Sequence, residues 1–340
     1  MNVRMIDVAR KAGVSKSTVS QFLNGRFDYM SAETRDRIKQ AVDELGFVPN
    51  ALARSLKKKQ TYTIATIVSN ILNPFSTATT RGAEDCCNKN GFDLILCNAD
   101  DRPAKEKEYI ETLVAKQIDG IIVSTTERNN DLLYAVNKRT PISILGHSVP
   151  NLNCDTIRVD SHAGIKLAIE HLVGLGHRRL ALFVLPHQEV NVSPRRERVL
   201  AFREIAGEFG LPLRPEWIVE VSNRSEEALA EAVRGVLAVS EPPTAFIGAN
   251  DLISIALFKT LRKTLSLRIP EDVAMLSFDD WEWANLLDPP ITVVAQPAYE
   301  MGYMAAELVI KRIREKSVEY KPQFMTYQPE LIVRHSCGEK

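Results

Sequence analysis

The sequence predicts a small all-α head followed by a two-lobed α/β body built of doubly wound parallel sheets. Three observations carry that expectation. The first 48 residues hold three amphipathic helical segments and no strand run. From residue 61 onward short β-branched runs alternate with amphipathic helices, and they do so in two sets, the signature of parallel sheets with covered faces. The formal charge of zero also divides unevenly: residues 1–59 carry 12 Lys and Arg against 6 Asp and Glu, so a head of +6 precedes a body of −6.

Within the head, Met5, Val8, Ala9 and Ala12 follow the i, i+3, i+4, i+7 spacing of a helix with one apolar face. Ala9, Ala12 and Gly13 are small enough for a second helix to cross closely. Ser15 is a good N-cap for that second helix. At 100° per residue, Lys16, Ser17, Ser20 and Gln21 fall within about 140° of one another, with Thr18, Val19 and Phe22 opposite. One face is therefore polar and the other packs, which is a helix-turn-helix by physical criteria. Ser31 caps a third helix with Ile38, Ala41, Val42 and Leu45 inward, stopped by Gly46. A basic head of this kind suits binding to phosphates by counterion release.

Residues 49–60 link head to body. Pro49 ends the third helix, Asn50 can cap a new one, and Lys57, Lys58 and Lys59 close it. About two turns of isolated helix are marginal in water, so this segment is helical only when braced.

The body reads as strands at 63–68, 93–97, 120–123, 142–145 and 156–159, then a second set at 180–184, 217–221, 245–247 and 274–278, with late strands at 291–296 and 331–335 that cross back. The expected division is a head at 1–48, a hinge at 49–60 and a body at 61–340. Its N-lobe takes 61–160 plus 291–325, and its C-lobe 161–290 plus 326–340. Ligands of open α/β sheets bind beyond the carboxyl ends of strands. The residues there are Ser69, Asn73, Ser124, Asn250 with Asp251, Asp279 and Gln296, with Phe75 placed to stack on a ligand and Arg195, Arg196 and Arg198 clustered before a helix. Polar side chains around one cleft match what sugar hydroxyls need.

Several runs together resemble the LacI/GalR family of bacterial transcription regulators. They are Asp7-Val8-Ala9, Ala12-Gly13-Val14-Ser15, Thr18-Val19-Ser20, Leu23-Asn24-Gly25, Ser31 with Thr34-Arg35, and Pro49-Asn50 with Ala53-Arg54-Ser55-Leu56. The resemblance implies a periplasmic-binding-protein-like body and a homodimer on pseudo-palindromic double-stranded operator DNA. It implies DNA contacts from Lys16, Ser17, Ser20, Gln21 and Asn24, and a hinge helix paired across the dimer axis. There Leu56 wedges into the minor groove with Ala53 against it, as apolar side chains do at kinked base steps. The family commonly has Arg where Gln21 stands; Gln pairs with adenine where Arg pairs with guanine. Arg198 occupies the family's Arg-x-x-Gly-aromatic motif, with Ala201 in place of Gly. The family's tetramers carry a C-terminal leucine heptad tail, and this sequence stops at Cys337-Gly338-Glu339-Lys340, so dimers are expected.

Resemblance within the family is greatest to regulators of ketodeoxygluconate and uronate catabolism, carried by the 13–24 run, Tyr29-Met30-Ser31 and Cys97-Asn98-Ala99-Asp100-Asp101. The effector is thus expected to be a small sugar or sugar acid. Three arginines within four residues suit a carboxylate, and Gly146 stands where many relatives have an acid; a neutral sugar or a corepressor protein is the alternative.

Other classes fit poorly. Gly174-Leu175-Gly176 is the only G-x-G and precedes a strand, and no P-loop, H-E-x-x-H or G-x-S-x-G occurs. A sugar-converting enzyme with an accessory head is the remaining enzymatic reading, and a transport protein would have a signal peptide and no basic head. The five cysteines form no C-x-x-C pair or metal spacing, so no cofactor and no metal are expected. With no leader and no long apolar run, the sequence predicts a cytoplasmic protein without a membrane segment.

Overall fold

The computed structural model describes residues 3–28, 30–48, 60–186, 193–222, 225–282, 284–315 and 320–338. The chain forms two units, Met1–Thr61 and Tyr62–Lys340.

The first unit is three helices around one small core. Helix α1 (Met5–Ala12) ends at Gly13 with φ +66°, the left-handed C′ conformation that costs glycine nothing. Helix α2 (Lys16–Leu23) starts at Ser15, whose Oγ accepts the Thr18 N–H at 3.1 Å. Helix α3 (Ala32–Leu45) is capped in the same way by Ser31 and ends at Gly46, φ +57°. Val8, Ala9, Ala12, Val19, Met30, Ile38, Ala41 and Phe47 close the core, with Met5, Val42 and Leu45 at its edge. The three predicted apolar stripes are the ones that meet.

In the second unit, one six-stranded sheet has the order β11-β5-β4-β3-β1-β2 and is parallel throughout. Its strands are β1 (Thr63–Val68), β2 (Asp93–Asn98), β3 (Gly120–Val123), β4 (Ile142–Leu145), β5 (Asp155–Val159) and β11 (Phe324–Tyr327). The other sheet, in the order β12-β10-β9-β8-β6-β7, comprises β6 (Leu180–Val184), β7 (Ile218–Glu220), β8 (Ala245–Gly248), β9 (Ala274–Phe278), β10 (Thr292–Ala295) and β12 (Glu330–Ile332). It is parallel except for β12, which runs antiparallel to β10. Side chains from alternate positions of the central strands feed two cores per sheet, one on each face: Ile64 and Ile122 on one side, Ala65, Ile67, Ile121 and Val123 on the other. This explains why the strands read as unbroken apolar runs.

The lobe boundaries differ from the sequence expectation. Residues 291–295 belong to the C-lobe, because β10 lies beside β9 in register Thr292 to Leu276, and Val293 and Val294 are wholly buried there. The chain returns to the N-lobe only at 296–297, into helix α11 (Ala298–Glu315). Residues 326–327 in turn belong to the N-lobe, as the end of β11, a strand the sequence reading missed. The chain therefore crosses between lobes after β5, after β10 and after β11. In the N-lobe, α11 packs closely on helix α4 (Pro74–Lys89): a methyl group at Gly82 would collide with the Tyr299 carbonyl, and one at Gly302 with the Thr79 carbonyl. Among the described residues no helix is long and apolar enough to cross a membrane, and no group of side chains is placed to hold a metal.

Candidate functional site

In both sheets the order reverses beside a central strand, β1 in one and β6 in the other, and ligands of such sheets bind at that reversal beyond the strand ends. A cleft of about 750 Å³, counting its open mouth, lies there between the lobes. Of the predicted effector residues, Ser69, Asn73, Phe75, Ser124, Arg198, Asn250, Asp279 and Gln296 line it. Arg196 does not, and Arg195 takes its place. Both stand on helix α8 (Ser193–Glu208), where Arg195 and Arg198 are one turn apart on the same face while Arg196 is rotated away by about 100°. Gly146 lines the cleft with φ +74°, and a Cβ there would stand 3.6 Å from the Phe75 ring.

Short local structures fix these side chains. Asn73 caps α4, its Oδ1 accepting the Phe75 N–H at 2.8 Å, and thereby sets the ring over the cleft. Asn250 caps helix α10 (Asp251–Lys259) through Ile253 N–H at 3.0 Å, leaving its NH2 as the group able to donate. Asp279 follows β9 with φ +72°, a conformation that Asp tolerates better than most residues. Gln296 sits at the second lobe crossing and donates to Asp279 Oδ1.

Charge in the cleft is balanced internally. Arg198 is 6% exposed, stacks over the Phe278 ring at 4.2 Å and donates from Nη1 to the Ala249 carbonyl. Its Nε is buried with no hydrogen-bond partner among the described residues. Burial lowers its pKa against the opposing pull of Asp279 and Asp251. Guanidinium stays protonated in proteins, so Arg198 is a buried cation facing two buried acids. Burial, reinforced by the Asp279 charge, pushes Asp251 up to about 8. Burial raises Asp279 too, while Arg198 and Gln296 pull it back.

Two helix N-termini are capped from the opposite lobe. Asp251 Oδ2 accepts the Phe75 N–H of α4 at 3.4 Å, and Glu127 Oε1 accepts the Ser193 N–H of α8 at 2.7 Å. Glu127 is further tied to His147 Nδ1 at 3.4 Å, and Ser193 Oγ accepts the Ser148 N–H at 3.1 Å. Carboxylates at helix N-termini are favourable, and here each one joins the lobes. Burial of Glu127 works against its ionisation, yet hydrogen bonds from His147 and Ser193 leave its pKa below the ordinary value. Sequence reasoning missed Asp101, Glu127, His147 and Ser193, since no local pattern marks a contact between lobes.

On α2, the side chains of Lys16, Ser17, Gln21 and Asn24 are exposed and Ser20 is half-buried. Asn24 Nδ2 donates to the Ser20 carbonyl at 2.6 Å, which satisfies a carbonyl in the last turn of the helix. Ala53 and Leu56 lie outside the described residues.

A basic three-helix head with an exposed polar helix, joined to a two-lobed body with a polar cleft, defines a ligand-controlled DNA-binding regulator. Residues 4–50 match the bacterial regulatory proteins of the lacI family, and residues 169–337 match the periplasmic binding protein-like domain. The chain is 34% identical over 336 residues to the probable HTH-type transcriptional regulator EndR of Paenibacillus polymyxa, covering 98% of both chains. It is 35% identical over 332 residues to the HTH-type transcriptional regulator KdgR of Bacillus subtilis, covering 97% of this chain and 96% of KdgR. The chain belongs to the LacI family and acts as a DNA-binding transcriptional regulator. A solved CelR–cellobiose complex matches with TM-score 0.71 at 27% identity, over 98% of this chain and 99% of that one. The lac repressor dimer on its operator, 22% identical, matches in fold with TM-score 0.85 over the full length of both chains.

Proposed function

We propose that the protein is a homodimeric repressor of a carbohydrate-catabolism operon, and that a small sugar-like effector in the interlobe cleft controls its affinity for DNA. The observation that carries this reading is the cleft itself: hydroxyl, amide and buried charged groups from both lobes converge at the switch points of two sheets, within reach of one polyhydroxyl ligand. The resemblance to a cellobiose-bound regulator supports a sugar. Ser69, Asn73, Phe75, Ser124, Arg198, Asn250, Asp279 and Gln296 act on the effector together with Arg195, and Arg196 does not.

Effector contacts bridge the lobes, so occupancy changes the balance between open and closed arrangements by its differential affinity for them. Movement of the lobes shifts the two hinge segments, 49–60, of the dimer relative to each other. A helix too short to stand alone then forms or melts with its partner. In the head, Lys16, Ser17, Ser20, Gln21 and Asn24 face the major groove, and Leu56 with Ala53 enters the minor groove.

A salt series of gel shifts against genomic fragments, repeated with a panel of sugars, tests this. A sequence-specific complex that weakens steeply with salt and changes affinity with one sugar is expected. A complex indifferent to sequence, or turnover of a sugar by the body alone, would sink the reading.

A further inference from the structure

The loop between β2 and helix α5 (Pro103–Ala115) holds two successive non-glycine residues in the left-handed region, Asp100 and Asp101, each with φ +54°. Asp100 is fixed by Lys105 Nζ at 2.6 Å and by Asn98 Nδ2 at 2.6 Å. The Asp101 N–H donates to the Ser69 carbonyl at 2.7 Å. The result is a carboxylate held at the cleft wall of the N-lobe, where its Oδ2 meets Nη2 of Arg195 from the C-lobe at 3.3 Å. Arg195 is 16% exposed, and its Nη1 donates to the Pro186 carbonyl at 3.2 Å. Both residues line the cleft.

We propose that Asp101 determines the charge class of the effector. By occupying Arg195, the more exposed of the two cleft guanidiniums, it takes up the fork best placed to meet an incoming carboxylate, and the ligand it selects is an uncharged polyhydroxyl compound. The charges around the cleft point the same way. Arg198, the other guanidinium there, already faces Asp279 and Asp251. An incoming carboxylate would meet Asp101 and Asp279 in the cleft, with Glu127 at its border. Like charges at low dielectric repel strongly, and a bidentate carboxylate site needs an uncommitted fork. The three-arginine pattern is therefore no acid receptor: Arg196 is off the cleft, Arg195 is matched by Asp101, and Arg198 is buried under the pull of Asp279 and Asp251.

This inference rests on the reading of the cleft as a sugar site, and the test separates the two. Full-length wild type and Asp101→Asn are titrated calorimetrically with galactose, glucose, galacturonate and glucuronate. Asn keeps the side-chain size, tolerates the left-handed backbone and retains the N–H to Ser69. Wild type is expected to favour the neutral sugars over their acids. Asp101→Asn is expected to gain affinity for at least one acid by about tenfold or more, the scale of a charge-assisted hydrogen bond. Arg195→Gln in that background should remove the gain. A cooperative melt shows each variant folded. If Asp101→Asn gains no acid, or if wild type prefers an acid and loses it with Arg195→Gln, the inference is overturned. If no neutral sugar binds wild type, the sugar reading fails, while the acid gain in Asp101→Asn still decides the role of Asp101.

Discussion

On α2, Lys16, Ser17 and Gln21 stand in solvent around one face of an eight-residue helix that Ser15 starts and Asn24 finishes. In the cleft, Arg198 and Asp279 are each 6% exposed and are held before any ligand arrives, Arg198 by the Phe278 ring and the Ala249 carbonyl and Asp279 by Gln296. The first surface is preorganised by a capped helix, with Ser17 Oγ held by Ser15 Oγ at 2.6 Å, and it leaves Lys16 and Gln21 in solvent for the partner. The second is preorganised by mutual charge, so its groups support the body as well as the ligand. A substitution on α2 should change recognition and spare stability; one in the cleft should disturb both.

The sharpest break should come from Arg198→Ala. It removes the cation that pulls against the burial of Asp279 and empties the space over the Phe278 ring, a loss of about 3–5 kcal/mol in body stability. Thermal melting should show that loss together with loss of effector response. Cooperative melting at the wild-type midpoint would refute the role of Arg198 as the charge that holds the cleft.

Acidity should separate the two lobe-bridging carboxylates. Asp251, raised from 3.8 to about 8, binds its proton more tightly folded than unfolded, so its contribution to stability is present below the unfolded value and drains away as pH rises toward 8. Glu127 is depressed, so its contribution is present above the ordinary value of 4.5 and is lost as pH falls through its lower folded value. Melts across pH should therefore lose stability toward alkali in wild type. Asp251→Asn should flatten that limb, and Glu127→Gln should flatten only the acid one.

On the DNA side, Gln21→Ala should weaken specific operator binding by about 1–3 kcal/mol and relax preference at one base pair. Gln21→Arg should move that preference from adenine toward guanine in a randomised-operator selection. An unchanged consensus would remove Gln21 from the base-reading set. The smallest effect is expected at Ser15→Ala, which removes the α2 cap and should cost the head about 1 kcal/mol. Hydrogen exchange at the first turn of α2 should rise without any change in the body.

The same contrast governs what was legible in the sequence. Head helices are local objects, and capping residues, glycine stops and apolar spacing determine them, so Ser15, Ser31 and Gly46 could be placed by rule. Central strands were equally plain, because burial on both faces makes them continuous apolar runs. Edge strand β11 was missed: Phe324 and Thr326 are exposed, and a half-bare edge resembles a loop. Assignment of β10 to its lobe failed because a run of valines does not say which sheet it joins. That Arg196 leaves the cleft while Arg195 enters it had a usable signal, since Arg195 and Arg198 are three apart on one helix. Asp101, Glu127 and Ser193 had none; their partners in the opposite lobe are 45 to 94 positions away in the chain.

The three passages between lobes also determine when the body can be finished during synthesis. Each sheet receives an edge strand from one short late segment, β11 at 324–327 and β12 at 330–332. Helix α11, which covers one face of the N-lobe, comes after the whole of the other lobe except that final strand. In chain order two nearly complete sheets thus precede their outer strands, which one short segment supplies to both. A nascent chain stalled before residue 298 exposes the apolar face that α11 should cover, and such chains should be engaged by chaperones or aggregate.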